Sequence, residues 1–237
     1  MTAAAYLEGI LAQKSPQTLG FSTGRTLKAM VEEVAPMDRR DHRIVTTVGT
    51  MTEDGRASPY DVAMRLAARI GASCYPMPTP VVAGSRRERE LLQTQRAYDS
   101  VRRIAGEAHM HFVGIGEIGW GCPMHADGFL SNRDLSELLD AGAVGEIASW
   151  PFDRDGEPIQ NELTQRLAGL PIDRSPDVTR IGVAGGGRKV EAIHAALRGR
   201  LITGLITDEI TAGLILEREE VITRTRDGLD NRDAAAE

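Results

Sequence analysis

Apolar positions along this chain alternate between helical and strand spacing. Thr2 can cap a helix running to about Lys14, and Gln17 to Phe21 reads as a short strand. Leu27, Met30, Val31 and Val34 recur at helical intervals within Thr26 to Val34, and Pro36 ends that helix. Arg43 to Val48 is β-branched and apolar, so a strand is expected. Ser58 as N-cap, Pro59 at the first helical position and Asp61 at the third open a helix. Its apolar face is Val62, Leu66, Ala67 and Ile70, and Gly71 stops it. Ser73 to Met77 is strand-like and merges into a stiff passage with Pro76, Pro78 and Pro80.

The second half repeats the alternation. Ser85 and Glu88 have capping-box spacing before a long polar helix to about Ala105. His109 to Ile115 reads as a buried strand that ends in Gly114-Ile115-Gly116 and a glycine-rich loop through Gly128. Ser131 and Asp134 open another helix to about Ala141. Gly145 to Phe152 reads as one strand, turning at Asp155-Gly156. Thr179 to Ala184 is a strand followed by Gly185-Gly186-Gly187 and a helix to Leu197; Leu201 to Ile206 is the last strand, and Asp208 caps a final helix. Strands alternating with helices of this length imply parallel βαβ units in a helix-flanked sheet, an α/β fold. Ligands of such sheets bind at the carboxyl ends of the strands. Residues 1–216 form one domain in this reading, and 217–237 a charged tail that is a frayed helix or disordered.

Composition narrows the function classes. The 237 residues carry a net charge of −6, with 41% hydrophobic and 26% charged residues, as a globular protein does. The acidic balance argues against nucleic-acid binding by these residues themselves. Two cysteines, Cys74 and Cys122, are too few for a disulfide framework or a four-cysteine zinc site. The start lacks a signal peptide's basic and apolar regions, and no apolar run approaches the roughly 20 residues of a membrane span, so a cytoplasmic location is expected.

Glycine turns at strand ends are the candidate chemistry. Phe21-Ser22-Thr23-Gly24-Arg25-Thr26 leads from a strand into a helix, where backbone N–H groups attract anions, hydroxyls add donors and a guanidinium suits phosphate. It is neither a Walker A loop nor G-x-G-x-x-G, and an ordinary capped turn is the plainer reading. Val48-Gly49-Thr50 and Gly114-Ile115-Gly116 are weak alone. Lys189, in the first helical turn after three glycines, is oddly placed, since cations disfavour helix N-termini; an anionic ligand would remove the conflict. Glu146 at a strand start could accept sugar hydroxyls or form a structural salt bridge. His109 and His111 lack the partners of a metal site. Cys122 and His125 lack the orienting group of a thiol–imidazole pair.

Longer motifs add a family. Ile181-Gly182-Val183-Ala184-Gly185-Gly186, Lys189, Ala192-Ile193, Ala195-Ala196-Leu197-Arg198-Gly199, Leu201-Ile202 and Thr207-Asp208-Glu209 closely resemble the end of the sugar-binding domain of SorC/DeoR-type bacterial transcriptional regulators. Gly24-Arg25-Thr26-Leu27, Val113 to Gly116, Ala143 to Ile147, and Phe152-Asp153 with Asp155-Gly156 agree in the same order. The resemblance implies a Rossmann-like, mostly parallel sheet with helices on both faces, similar to ribose-phosphate isomerase and glucosamine-phosphate deaminase. It implies a small sugar or sugar phosphate as effector, no cofactor, and a homodimer or homotetramer. The turn at Thr23, Gly24, Arg25 and Thr26 would hold the phosphate or its equivalent. The loop after Gly49 through Ser58 and Tyr60, the loop after Gly116, Glu146 and Lys189 would line the same pocket. The helix-turn-helix that usually precedes this domain is not among these residues, so operator DNA would be met only through such a segment. The rival is a sugar-phosphate isomerase or deaminase, for which Glu146, Asp61 and His125 are the candidate bases.

Overall fold

The computed structural model describes residues 2–52, 55–58 and 61–219. Six parallel strands form the main sheet: β1 (Thr18–Phe21), β2 (Arg43–Met51), β3 (Ser73–Pro80), β4 (Met110–Gly114), β8 (Thr179–Val183) and β9 (Gly204–Ile206). Their order across the sheet is β3-β2-β1-β4-β8-β9, with every neighbouring pair parallel. A small antiparallel sheet, β5 (Gly116–Glu117), β6 (Gly145–Ile147) and β7 (Trp150–Phe152), sits beyond the end of β4. The helices are α1 (Ala3–Leu11), α2 (Arg25–Glu32), α3 (Val62–Ile70), α4 (Arg86–Gln93), α5 (Arg96–Gly106), α6 (Pro123–Ala126), α7 (Asn132–Asp140) and α8 (Val190–Arg198). A further helical run covers 209–219.

Strand alternation puts the helices on both faces. Ile44 and Phe112 point into a core shared with α1, α2 and α3. Val45, next along β2, belongs to a core cluster with Tyr98, Val101 and Ile104 of α5, and Val113, next along β4, to a cluster that includes Ile193 of α8. This is the α/β arrangement the sequence predicts.

Local chemistry explains where the elements depart from expectation. The three prolines lie inside β3 rather than after it. β3 is an edge strand, where a missing N–H costs no ladder bond and discourages edge-to-edge pairing. Asp61, not Ser58, caps α3, its carboxylate accepting from the Met64 N–H at 3.0 Å. The long polar helix is two, because Thr94 turns its hydroxyl back onto the Leu91 carbonyl at 2.7 Å and ends α4. The single strand expected over Gly145 to Phe152 is a tight hairpin. Ile147 pairs with Trp150, and Ala148 and Ser149 turn the chain with φ of 52° and 71°. The helical run over 209–219 crosses the expected 216/217 boundary, with His194 Nε2 2.7 Å from Glu219. Residues 220–237 lie outside the described residues.

Candidate functional site

After β1 the chain crosses by α2 to β2 on one side, while β4 lies on the other. This is a topological switch point, where loops leaving adjacent strands part and open a crevice. The two strand ends are held rigidly together. Phe21 and Phe112 stack across the β1–β4 pair with centroids 5.2 Å apart. Just beyond, the Ser22 N–H donates to the Phe112 carbonyl at 3.0 Å, and the Ser22 hydroxyl accepts from the Gly114 N–H at 2.9 Å.

A cavity open to solvent occupies that crevice. Thr23, Gly24, Arg25, Thr26, Ser58, Gly116, Glu146 and Lys189 all line it. Gly24 has φ 138°, a conformation that suits glycine, and as N-cap of α2 it supplies no capping side chain. Pro123, Met124 and Phe129, on and after α6, form an apolar wall. Asp127 brings its carboxylate to 3.5 Å from the Arg25 guanidinium.

Glu146 lines the same cavity. The hairpin turn brings the Ser149 N–H to 2.8 Å from its carboxylate. Two non-glycine residues in left-handed backbone are an uncommon expense, and here they aim that donor. Burial pushes the Glu146 carboxyl above the ordinary carboxylate value; the Ser149 N–H and Lys189 oppose the shift, and Glu117 adds to it. The Glu146 side chain lies over Gly116, where a Cβ would come within 2.2 Å of Oε1. Lys189 ends a short 3₁₀ turn as the N-cap of α8. Its charge, unfavourable at that end of a helix, is offset in part by Glu146. Glu117 pairs with Arg188 at 3.3 Å through Oε1, while its buried Oε2 has no hydrogen-bond partner.

Other candidates lie elsewhere. Gly49 is not in the cavity; a Cβ there would meet the Pro80 carbonyl oxygen at 2.2 Å, so the glycine serves close packing of β2 against β3. Tyr60 and Pro59 lie outside the described residues. Asp61 is engaged in capping α3, and His125 Nε2 is 2.7 Å from Asn132 Oδ1. Burial holds the His111 pKa below its ordinary value. No cluster of three or more metal-ligating side chains occurs among the described residues. Sequence reading missed Glu117, Asp127 and Ser149. The charged residue after the Gly114–Gly116 turn was the one signal for Glu117; nothing local distinguished Asp127.

A family model, Sugar-bind ("Putative sugar-binding domain"), matches residues 1–217. The chain belongs to the Sugar-bind family. It is 33% identical over 201 residues to the erythritol catabolism regulatory protein EryD of Brucella abortus, covering 84% of this chain and 63% of that protein. It is 30% identical over 220 residues to the transcriptional regulator LsrR of Klebsiella pneumoniae, covering 90% and 65%. The chain thus spans a little under two thirds of these relatives' lengths. Both are named as regulators, not enzymes. In fold, this Sugar-bind chain resembles the full-length sorbitol operon regulator SorC of Klebsiella pneumoniae, with TM-score 0.80, 22% identity and coverage of 90% and 70%. It also resembles a DeoR family transcriptional regulator of Listeria monocytogenes, with TM-score 0.81, 23% identity and coverage of 90% and 84%. Among the described residues, no helix is long and apolar enough to cross a membrane.

Proposed function

We propose that this chain is the effector-binding part of a SorC/DeoR-type transcriptional regulator, acting in the cytoplasm, and that the cavity at the switch point takes a small sugar, polyol or sugar phosphate. The observation that carries the reading is the convergence of complementary groups on one cavity. The α2 N-terminus and Arg25 supply donors, and the half-buried Glu146 with Lys189 supplies an acceptor and a cation to the same cavity. Residues 1–216 form the binding unit, and the ligand acts by binding two oligomer arrangements with different affinity. Those arrangements are homodimers or homotetramers, and operator DNA is contacted through a helix-turn-helix outside these residues.

Thermal-shift and calorimetric titration with tetritols, pentoses, hexoses and their phosphate esters tests the reading. At least one compound should stabilise the chain. Arg25→Ala and Lys189→Ala should each weaken that ligand by about 1.5–3 kcal/mol, the usual worth of a hydrogen bond from a charged group. No response to the whole panel would overturn the proposal, as would turnover of a bound sugar phosphate in a proton-exchange assay.

A further inference from the structure

The turn at α2 is built to attract an anion, yet the chain brings one of its own beside it. Asp127 Oδ2 stands 3.5 Å from Arg25 Nη2, and both residues line the cavity. Arg25 is 61% exposed and Asp127 24%, so the pair is at the wetted side of the cavity, where a ligand can reach both. Lys189, Glu146 and Glu117 line the same cavity. Among the described lining residues are the cations Arg25 and Lys189 and the carboxyls of Asp127, Glu146 and Glu117, the last paired with Arg188. A phosphate dianion entering here would meet the like charge of Asp127 as soon as it approached Arg25. A hydroxyl group meets no such conflict. It accepts a hydrogen bond from a guanidinium and donates one to a carboxylate, so an Arg–Asp pair satisfies both of its capacities at once.

We propose that Asp127 is a specificity-determining residue, and that the Arg25–Asp127 pair makes this cavity select an uncharged polyol or sugar over its phosphate ester. The inference rests on the effector-binding reading and goes further by naming the ligand's charge. Thr23 and Thr26 hydroxyls, on the same turn as Arg25, extend the hydroxyl-matching surface, and Met124 and Phe129 offer the apolar wall that suits a carbon chain's C–H faces.

The test is calorimetric titration of the full chain with matched probes at fixed ionic strength: erythritol and erythritol 4-phosphate, sorbitol and sorbitol 6-phosphate, ribose and ribose 5-phosphate, and inorganic phosphate alone. Wild type should bind the uncharged member of the responding pair more tightly, by about tenfold or more. Asp127→Asn, and Asp127→Ala as a second variant, should lose affinity for the uncharged member and gain it for the ester and for inorganic phosphate, so that the ratio inverts. Wild type preferring the ester overturns the proposal without any variant, and leaves the effector-binding reading standing. A ratio unchanged in both folded variants does the same. Absence of binding by every probe overturns both.

Discussion

Gly116→Ala tests the geometry on which the site depends. Gly116 pairs with Glu146 across the β5–β6 ladder, and its backbone is not in the left-handed region, so alanine brings no conformational strain of its own. The cost comes from what the new methyl meets. It would stand 2.2 Å from Glu146 Oε1, 3.0 Å from Cδ and 3.1 Å from Cγ, where ordinary contact begins at 3.4 Å. The carboxylate must shift, and we expect that shift to break the 2.8 Å bond its Oε2 accepts from the Ser149 N–H. Losing a hydrogen bond to a half-buried charged acceptor costs about 1.5–3 kcal/mol, and we expect Gly116→Ala to lose that much in urea unfolding. For a chain of this size that lowers Tm by roughly 3–12 °C. The decisive comparison is a double-mutant cycle. In a Glu146→Ala background the obstructing carboxylate is gone, and adding Gly116→Ala should cost about 0.5 kcal/mol or less, giving a coupling of about 1–2.5 kcal/mol. Equal losses in the two backgrounds would show that the methyl disturbs something other than Glu146 and would refute the reasoning.

The half-buried Glu146 carboxyl also sets a pH dependence. Unfolded, it titrates near 4.5; folded, burial makes it hold its proton to higher pH. Its contribution to stability is therefore most favourable below 4.5 and is lost as pH rises through the folded value. Glu146→Gln keeps an acceptor for Ser149 and removes the titration. The unfolding midpoint of that variant relative to wild type should rise with pH across this window, and a flat difference would contradict the assignment. Arg180, 4% exposed, bonds the carbonyls of Leu201, Ser175, Val178 and Arg200, tying β8 to the approach of β9. Arg180→Met should cost about 3 kcal/mol or more in urea unfolding, because several carbonyls lose their donor together; a loss below about 1 kcal/mol would show that water replaces it.

Much of the architecture was legible because it is local. The α2 turn needs a glycine at its N-cap, the Ser131–Asp134 capping box forms as its spacing predicts, and Gly71 ends α3 in left-handed backbone. Alternating strands and helices placed the turns at one edge of a sheet, and the family resemblance agreed with that placement. The hairpin at Ala148-Ser149 was not legible, because neither residue favours left-handed backbone. It exists because β6 and β7 must pair and the Ser149 N–H must reach Glu146.

Sequence by itself determined most of the elements and that Thr23 to Thr26, Gly116, Glu146 and Lys189 lie at strand or helix ends. Those outcomes rest on residues within a few positions of one another: caps, glycines and apolar periodicity. Tertiary structure alone decided what those ends meet. Strand order placed the switch point between β1 and β4, close packing took Gly49 out of the cavity, and the segment after α6 set Asp127 against Arg25, about a hundred residues away along the chain. Such pairings join distant segments through sheet register and packing, so nothing in the local pattern around Asp127 announces its partner.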